Sequence, residues 1–389
     1  MLLKTIIYVP CLIILFSGCG VSPGKEPGPV FVGGGDYDSA RAVVLAGKNR
    51  YMLAGMTTSY GAGHVDVFAL VVNKSGRVIR QNTYGGTGDD RGLCAVPSAG
   101  GYVIGGYTTS FGAGASDFYV LKVNEKLEPV WSKTFGYEGA DECRAAATDL
   151  VNTALAGFMT MSGVQRPVII LVSPSGRLLW EREAPFLGTG IFHSAAFSPD
   201  GKKIAAAGVV KGPQAKANEA FAAVFDTATG EVLQKVLFES EGPAEAKAIE
   251  FTETGFVIAG EEGNKNEDAD IVLFAADKLF APQWKSFFGG KGTEFVSSLA
   301  KAPGGGWLIT GTTESKGRGS TDAYLIRTDA AGSLIWEKTY GTKRDDYGGG
   351  SVFDGSLVIT AGWSLLEDKG YEIMLVSEED SQLQAVSGN

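Results

Sequence analysis

The sequence predicts an all-β chain folded as a seven-bladed β-propeller with four antiparallel strands in each blade. Two observations carry this. Seven glycines, Gly55, Gly106, Gly157, Gly208, Gly260, Gly311 and Gly362, recur at intervals of 51, 51, 51, 52, 51 and 51 residues. A fixed period near fifty marks architectures built from one supersecondary unit per repeat. Each period also holds four short β-type runs separated by turn residues, with no helix-period stripe. Four antiparallel strands repeated radially make a propeller blade.

The 389-residue chain divides into three parts. Residues 1–18 read as an export signal: Lys4, an apolar run from Thr5 to Phe16, then small residues. The segment Phe16-Ser17-Gly18-Cys19 resembles a bacterial lipobox, which implies cleavage before Cys19 and a lipid attached to it. Residues 19–28 form a Gly/Pro linker. Residues 29–389 are the propeller. This organisation implies an extracytoplasmic protein, lipid-anchored to the cell membrane or the outer membrane. The formal charge of −10 argues against nucleic acid, whose phosphates need clustered Lys and Arg. With Cys11 in the signal and Cys19 as the anchor, Cys94 and Cys143 remain. They read as two small buried thiols, although an exported compartment permits a disulfide.

Within repeat two the strands read as Leu93 to Pro97, Tyr102 to Tyr107, Asp117 to Asn124 and Pro129 to Phe135. The third run alternates like a half-buried strand. Other repeats keep its marks. An acidic residue opens the third strand at Asp66, Asp117, Glu219, Asp270, Asp322 and Glu372, with Arg166 the exception. A turn residue closes it, and seven residues later stands Trp131, Trp180, Trp284 or Trp336, replaced by Arg80 and Leu233 in repeats one and four. The tryptophans are expected to pack between blades, because large aromatics bury much area in a thin sheet. The spaced glycines are expected either to meet another backbone closely or to adopt a conformation that a Cβ forbids. Pro29 to Gly34 aligns with Gln81 to Gly86, a fourth strand lacking its own first three. It should supply the outer strand of the last blade, or compete for that place with the tail 382–386, closing an otherwise open edge.

The pattern from Gly101 to Gly136, recurring from Gly306 to Gly341, resembles bacterial propeller lipoproteins with repeats of about fifty residues. Gly105 and Gly106 with Asp117, Tyr119 and Trp131 resemble a kelch repeat. The runs Ser173 to Trp180, Asp226 to Leu233 and Asp329 to Trp336 resemble the blade motif of quinoprotein-type propellers. That class includes cofactor-dependent dehydrogenases and a cofactor-free lipoprotein of outer-membrane assembly. These motifs are structural in their families and carry no catalytic residue over.

Binding is expected on the loops that join outer to inner strands and second to third strands, since loops on a rigid scaffold usually hold such sites. The candidates are Asp38, Tyr60, Asp89, Asp90, Phe111, Asp141, Asp345 and Asp346. They would form an acidic, loop-rich face for a basic or cationic partner, with Ca²⁺ as the ion that carboxylates and carbonyls could hold. The alternative is that these aspartates end turns and keep the protein soluble. His64 and His193 read as solvent or turn residues, with no nucleophile or metal partner nearby in sequence. With no catalytic constellation and no cofactor expected, the leading reading is a monomeric binding or scaffolding module for a protein, a peptide or an envelope glycan. The alternatives are an enzyme acting on carbohydrate, a quinone-dependent oxidoreductase and a purely structural envelope component.

Overall fold

A computed structural model of the chain describes residues 28–380, apart from 185, 187, 214, 241, 243, 264–267 and 356. The expected signal, Cys19, nearly all of the linker and the tail 382–386 lie outside the described residues. Seven four-stranded antiparallel sheets stand around one axis, and every regular element among the described residues is a strand. Blades 1 to 6 use four consecutive strands from the inside outward. Blade 1 comprises Asp38–Leu45, Arg50–Thr57, Asp66–Asn73 and Val78–Tyr84. Blade 7 has Asp346–Asp354, Leu357–Leu366 and Gly370–Glu379, and takes Val30–Val32 from the other end of the chain as its outer strand. Val30 pairs with Leu375, Phe31 with Met374 and Val32 with Ile373, which is the expected closure.

The second and third strands of each blade are packed on both faces by neighbouring blades. Arg50–Thr57 and Asp66–Asn73 are almost wholly buried, whereas the outer Val78–Tyr84 is largely accessible. The third strand of blade 2 therefore differs from the half-buried expectation. Asp117–Asn124 is buried on both faces, with the Lys122 ammonium donating to Ala99 O at 2.8 Å. Apolar clusters fill the wedges between blades; one joins Leu171 and Trp180 of blade 3 to Phe192, Phe221 and Phe225 of blade 4.

The tryptophans do span blades. Trp131 Nε1 donates to Pro174 O at 3.0 Å and Trp180 Nε1 to Thr227 O at 2.9 Å, each in the next blade's outer turn. Arg80 fills the same role in blade 1, its Nη1 donating to Glu125 O at 3.1 Å. Leu233 has no donor to offer and stands 48% exposed.

The spaced glycines lie within the second strands rather than at their ends. None has a positive φ. Each instead faces a carbonyl of its own inner strand. A Cβ on Gly55 would sit 1.9 Å from Ser39 O, on Gly106 1.8 Å from Arg91 O, and on Gly362 2.0 Å from Tyr347 O. The other four glycines meet Glu142, Ile191, Glu245 and Phe295 in the same way. The close-approach expectation holds, and its cause is a β-bulge. In every blade the pairing of inner and second strand skips one residue just beyond that carbonyl: Arg41, Leu93, Arg144, His193, Lys247, Ser297 and Gly349. A bulge re-aims the side chain it frees. Cys94 and Cys143 are buried free thiols facing each other across blades 2 and 3, Sγ to Sγ 4.0 Å.

Candidate functional site

The seven bulge residues converge on the propeller axis. Together with Val296 they wall a cavity of about 260 Å³. A second cavity of about 260 Å³ shares most of them and runs along small side chains such as Ala42, Ala95, Ala146 and Ala195 to Glu250. The bulge comes three residues after Asp38 opens the inner strand of blade 1, so the ring sits about 10 Å down the channel from that end. Arg41, Arg144 and Lys247 bring three cations to this stretch of an acidic protein, with His193 beside them.

Two residues before each bulge, a second tier includes Arg91, Glu142 and Glu245, and it organises the cations. Arg144 pairs with Glu142 at 2.9 Å, and Arg91 with Asp89 at 3.6 Å. Lys247 lies between Glu245 at 2.6 Å and Glu261 at 3.5 Å. Glu245 also accepts from Asn218 Nδ2 at 3.1 Å, and Glu261 from the Val296 amide at 2.9 Å. The contact with His193, with Lys247 adding to it, holds the Glu245 carboxyl well below its ordinary range, while burial raises that of Glu261.

Arg41 is different. Its guanidinium sits over the Trp363 ring, Cζ 4.0 Å from the centroid, and among the described residues it makes no ion pair. It is open to channel water yet walled by protein. Burial lowers its pKa, and the nearby cations Arg144 and Arg91 push the same way. His193 Nε2 lies 3.3 Å from Glu245 Oε2 but is not aligned for a hydrogen bond. Burial lowers the His193 pKa to about 4, so the imidazole is neutral at physiological pH.

The expected acidic face is largely absent. Asp38, Asp90, Asp141 and Asp346 are each 0% exposed. Their carboxylates accept from loop amides: Gly34 N at 2.7 Å, Gly86 N at 2.8 Å, Tyr137 N at 2.6 Å and Thr342 N at 2.5 Å. Ser59 and Ser110 hydroxyls tie the second-to-third-strand loops to Asp38 and Asp90 at 2.7 Å each. These four residues act as internal latches and lie too deep to meet a partner. Burial raises the pKa of Asp141 and Asp346. Among the described residues no three His, Cys, Asp or Glu side chains gather as they would around a metal ion.

Asp89 and Asp345 remain partly accessible. Tyr60 and Phe111 are 37% and 47% exposed, but each ring also leans on an aromatic of its own third strand, Phe68 and Tyr119. His64 is exposed on its loop, as expected. His193 corrects the turn-residue expectation: it occupies the bulge of the inner strand Thr189–Phe197, half-buried in the channel. Arg41, Arg144 and Lys247 were not expected either. A mainly apolar cavity of about 350 Å³ lies between blades 4 and 5, walled by Val236, Phe238, Phe280 and Trp284, and it shares Glu245 and Glu261 with the channel network.

No family model and no curated protein sequence matches the chain. Among solved structures it is similar to the Dos1 propeller, with a TM-score of 0.51 and 11% identity over 90% of this chain and 94% of that one. It is also similar to Sqt1 from Chaetomium thermophilum, with a TM-score of 0.48 and 15% identity over 90% and 98%. The β-propeller domain of the trilobed protease from Pyrococcus furiosus gives a TM-score of 0.46 and 13% identity over 87% and 96%. At such identities a likeness concerns fold alone. The Dos1 match agrees with the seven sheets, and the chain is a seven-bladed β-propeller.

Proposed function

We propose that this protein is a lipid-anchored, extracytoplasmic binding module that presents its channel mouth and adjoining loops to a protein, peptide or envelope-glycan partner. One observation supports this above the others. Positions that build the ring repeat from blade to blade, as with the seven glycines. The seven bulge positions are geometrically equivalent, yet they carry six residue types: Arg, Leu, His, Lys, Ser and Gly. A position that only held the ring together would have no use for such variety, or for three cations and an imidazole beside the axis.

The anchored part of the reading rests on Cys19 and the apolar run before it. Cys19→Ala should move the protein from the membrane fraction to the soluble fraction; retention on the membrane would remove the anchor. For the binding part, wild-type protein and a variant carrying Tyr60→Ala, Asp89→Asn, Phe111→Ala and Asp345→Asn would be used to capture envelope components. Selective capture by the wild type is expected. Equal capture by both would exclude these loops as the contact.

A further inference from the structure

We propose that the central channel is a binding site for a small oxyanion ligand, a carboxylate or a phosphate, received by the Arg41 guanidinium with Arg144 and His193 beside it. This rests on the binding-module reading and narrows it to a ligand class.

The first argument is unspent hydrogen-bonding capacity. A guanidinium carries five N–H donors in one plane, in a fork that matches carboxylate or phosphate oxygens two at a time. Arg41 has its ring-facing side on Trp363 and gives none of those donors to a described protein group. Arg41 itself is open to channel water, whereas Arg91 Nε is buried without a hydrogen bond and His193 Nε2 has only the misaligned Glu245 carboxylate 3.3 Å away. Buried polar atoms are nearly always satisfied, so Arg91 Nε and His193 Nε2, beside an Arg41 fork that only channel water meets, point to a missing partner.

The second argument is charge. Arg144 and Arg91 each have one carboxylate, and Lys247 has two, but Arg41 has none. Its cation is weakened by burial and by the neighbouring guanidiniums. An anion at the Arg41 fork would relieve that repulsion, inside low-dielectric walls that focus its attraction. The third argument is room. Each channel cavity is about 260 Å³, a volume suited to a small molecule rather than a folded partner.

The test titrates the full-length chain in detergent solution with inorganic phosphate and, separately, with succinate, at ionic strength held constant with sodium chloride. Calorimetry should show saturable binding of at least one of them, and the tighter arm distinguishes a phosphate from a carboxylate ligand. Arg41→Gln should weaken that binding about 10- to 100-fold, the worth of one charge-assisted contact. Arg144→Gln should weaken it in the same direction, and Arg77→Gln, on the exposed outer turn of blade 1, should leave it unchanged. If Arg41→Gln does not fold, Arg41→Lys keeps the charge without the fork and should still bind more weakly than wild type. Binding of neither anion beyond a chloride control overturns the proposal, as does undiminished binding by a folded Arg41 variant. Envelope capture and membrane fractionation read the module itself and are independent of either result.

Discussion

At the scale of single residues, Glu250 shows how the channel shapes stability. Burial raises its carboxyl to about 7, and Lys301 only partly offsets this. The unfolded chain releases that proton near pH 4.3, so between about pH 4.5 and 7 the native state binds the extra proton. Stability must then fall as pH rises through this window, by at most about 4 kcal/mol, and level off above it. His193, lowered to about 4, acts in the opposite sense, its contribution growing as pH rises from about 4 to 6.5. Comparing wild type with Glu250→Gln cancels that background. The variant should show a shallower decline of its thermal midpoint from pH 5 to 8 and be the more stable at pH 8; parallel declines would show that Glu250 is not held protonated. Residues of this kind were hard to read in advance. An aspartate that latches a loop from within and one that faces a partner occupy the same turn and have the same letter, so Asp38 and Asp90 gave no sign of their depth. A lone histidine beside a serine gave no sign that His193 sits on a bulge.

At the scale of the element, glycine and bulge form one device. The inner-strand carbonyl before each bulge is turned toward the second strand, and only a residue without a Cβ leaves it room. Gly106→Ala would place a methyl 1.8 Å from Arg91 O, against backbone that cannot swing aside. Destabilisation of about 3 kcal/mol or more is expected, at the upper end for overpacking. Gly28→Ala meets nothing within 4 Å and should be silent. Denaturant unfolding of the two variants side by side decides the matter, and a stable Gly106→Ala protein would mean that the bulge relaxes freely. The spaced glycines were legible because they repeat almost in phase. The bulges were less so. Arg41 lies 14 residues before Gly55, Leu93 13 before Gly106 and His193 15 before Gly208. Turn lengths between inner and second strands differ, and the side chains at those positions share no chemistry. Counting back 13 to 15 residues from each glycine finds the ring once the bulge is known. The period alone does not phase it.

At the scale of the whole molecule, the ring depends on a three-residue seam. The closure was legible because Pro29 to Gly34 aligns with a fourth strand that has no blade of its own. Val30–Val32 pairs with Gly370–Glu379 of blade 7, and its side chains reach both neighbouring blades. Phe31 packs with Ala323 and Tyr340 of blade 6, and Val30 abuts the turn at Gly76 of blade 1. Replacing Val30, Phe31 and Val32 together with serine removes three partly buried apolar side chains, worth about 3 kcal/mol in all. It also weakens the cover over the Gly370–Glu379 edge, which could then pair with another copy. The expected result is a lower thermal midpoint together with concentration-dependent association in light scattering. A triple variant that melts with the wild type and stays monomeric would show that the seam does not need this strand. If Cys19 carries the lipid, the eleven residue steps from Cys19 to Val30 reach at most about 40 Å, so the membrane tether attaches directly at the seam. Lengthening the linker by a flexible Gly/Ser insert after Gly24 should then leave the thermal midpoint unchanged while allowing the propeller to stand farther from the membrane. Protection of the linker from added protease should fall as that distance grows.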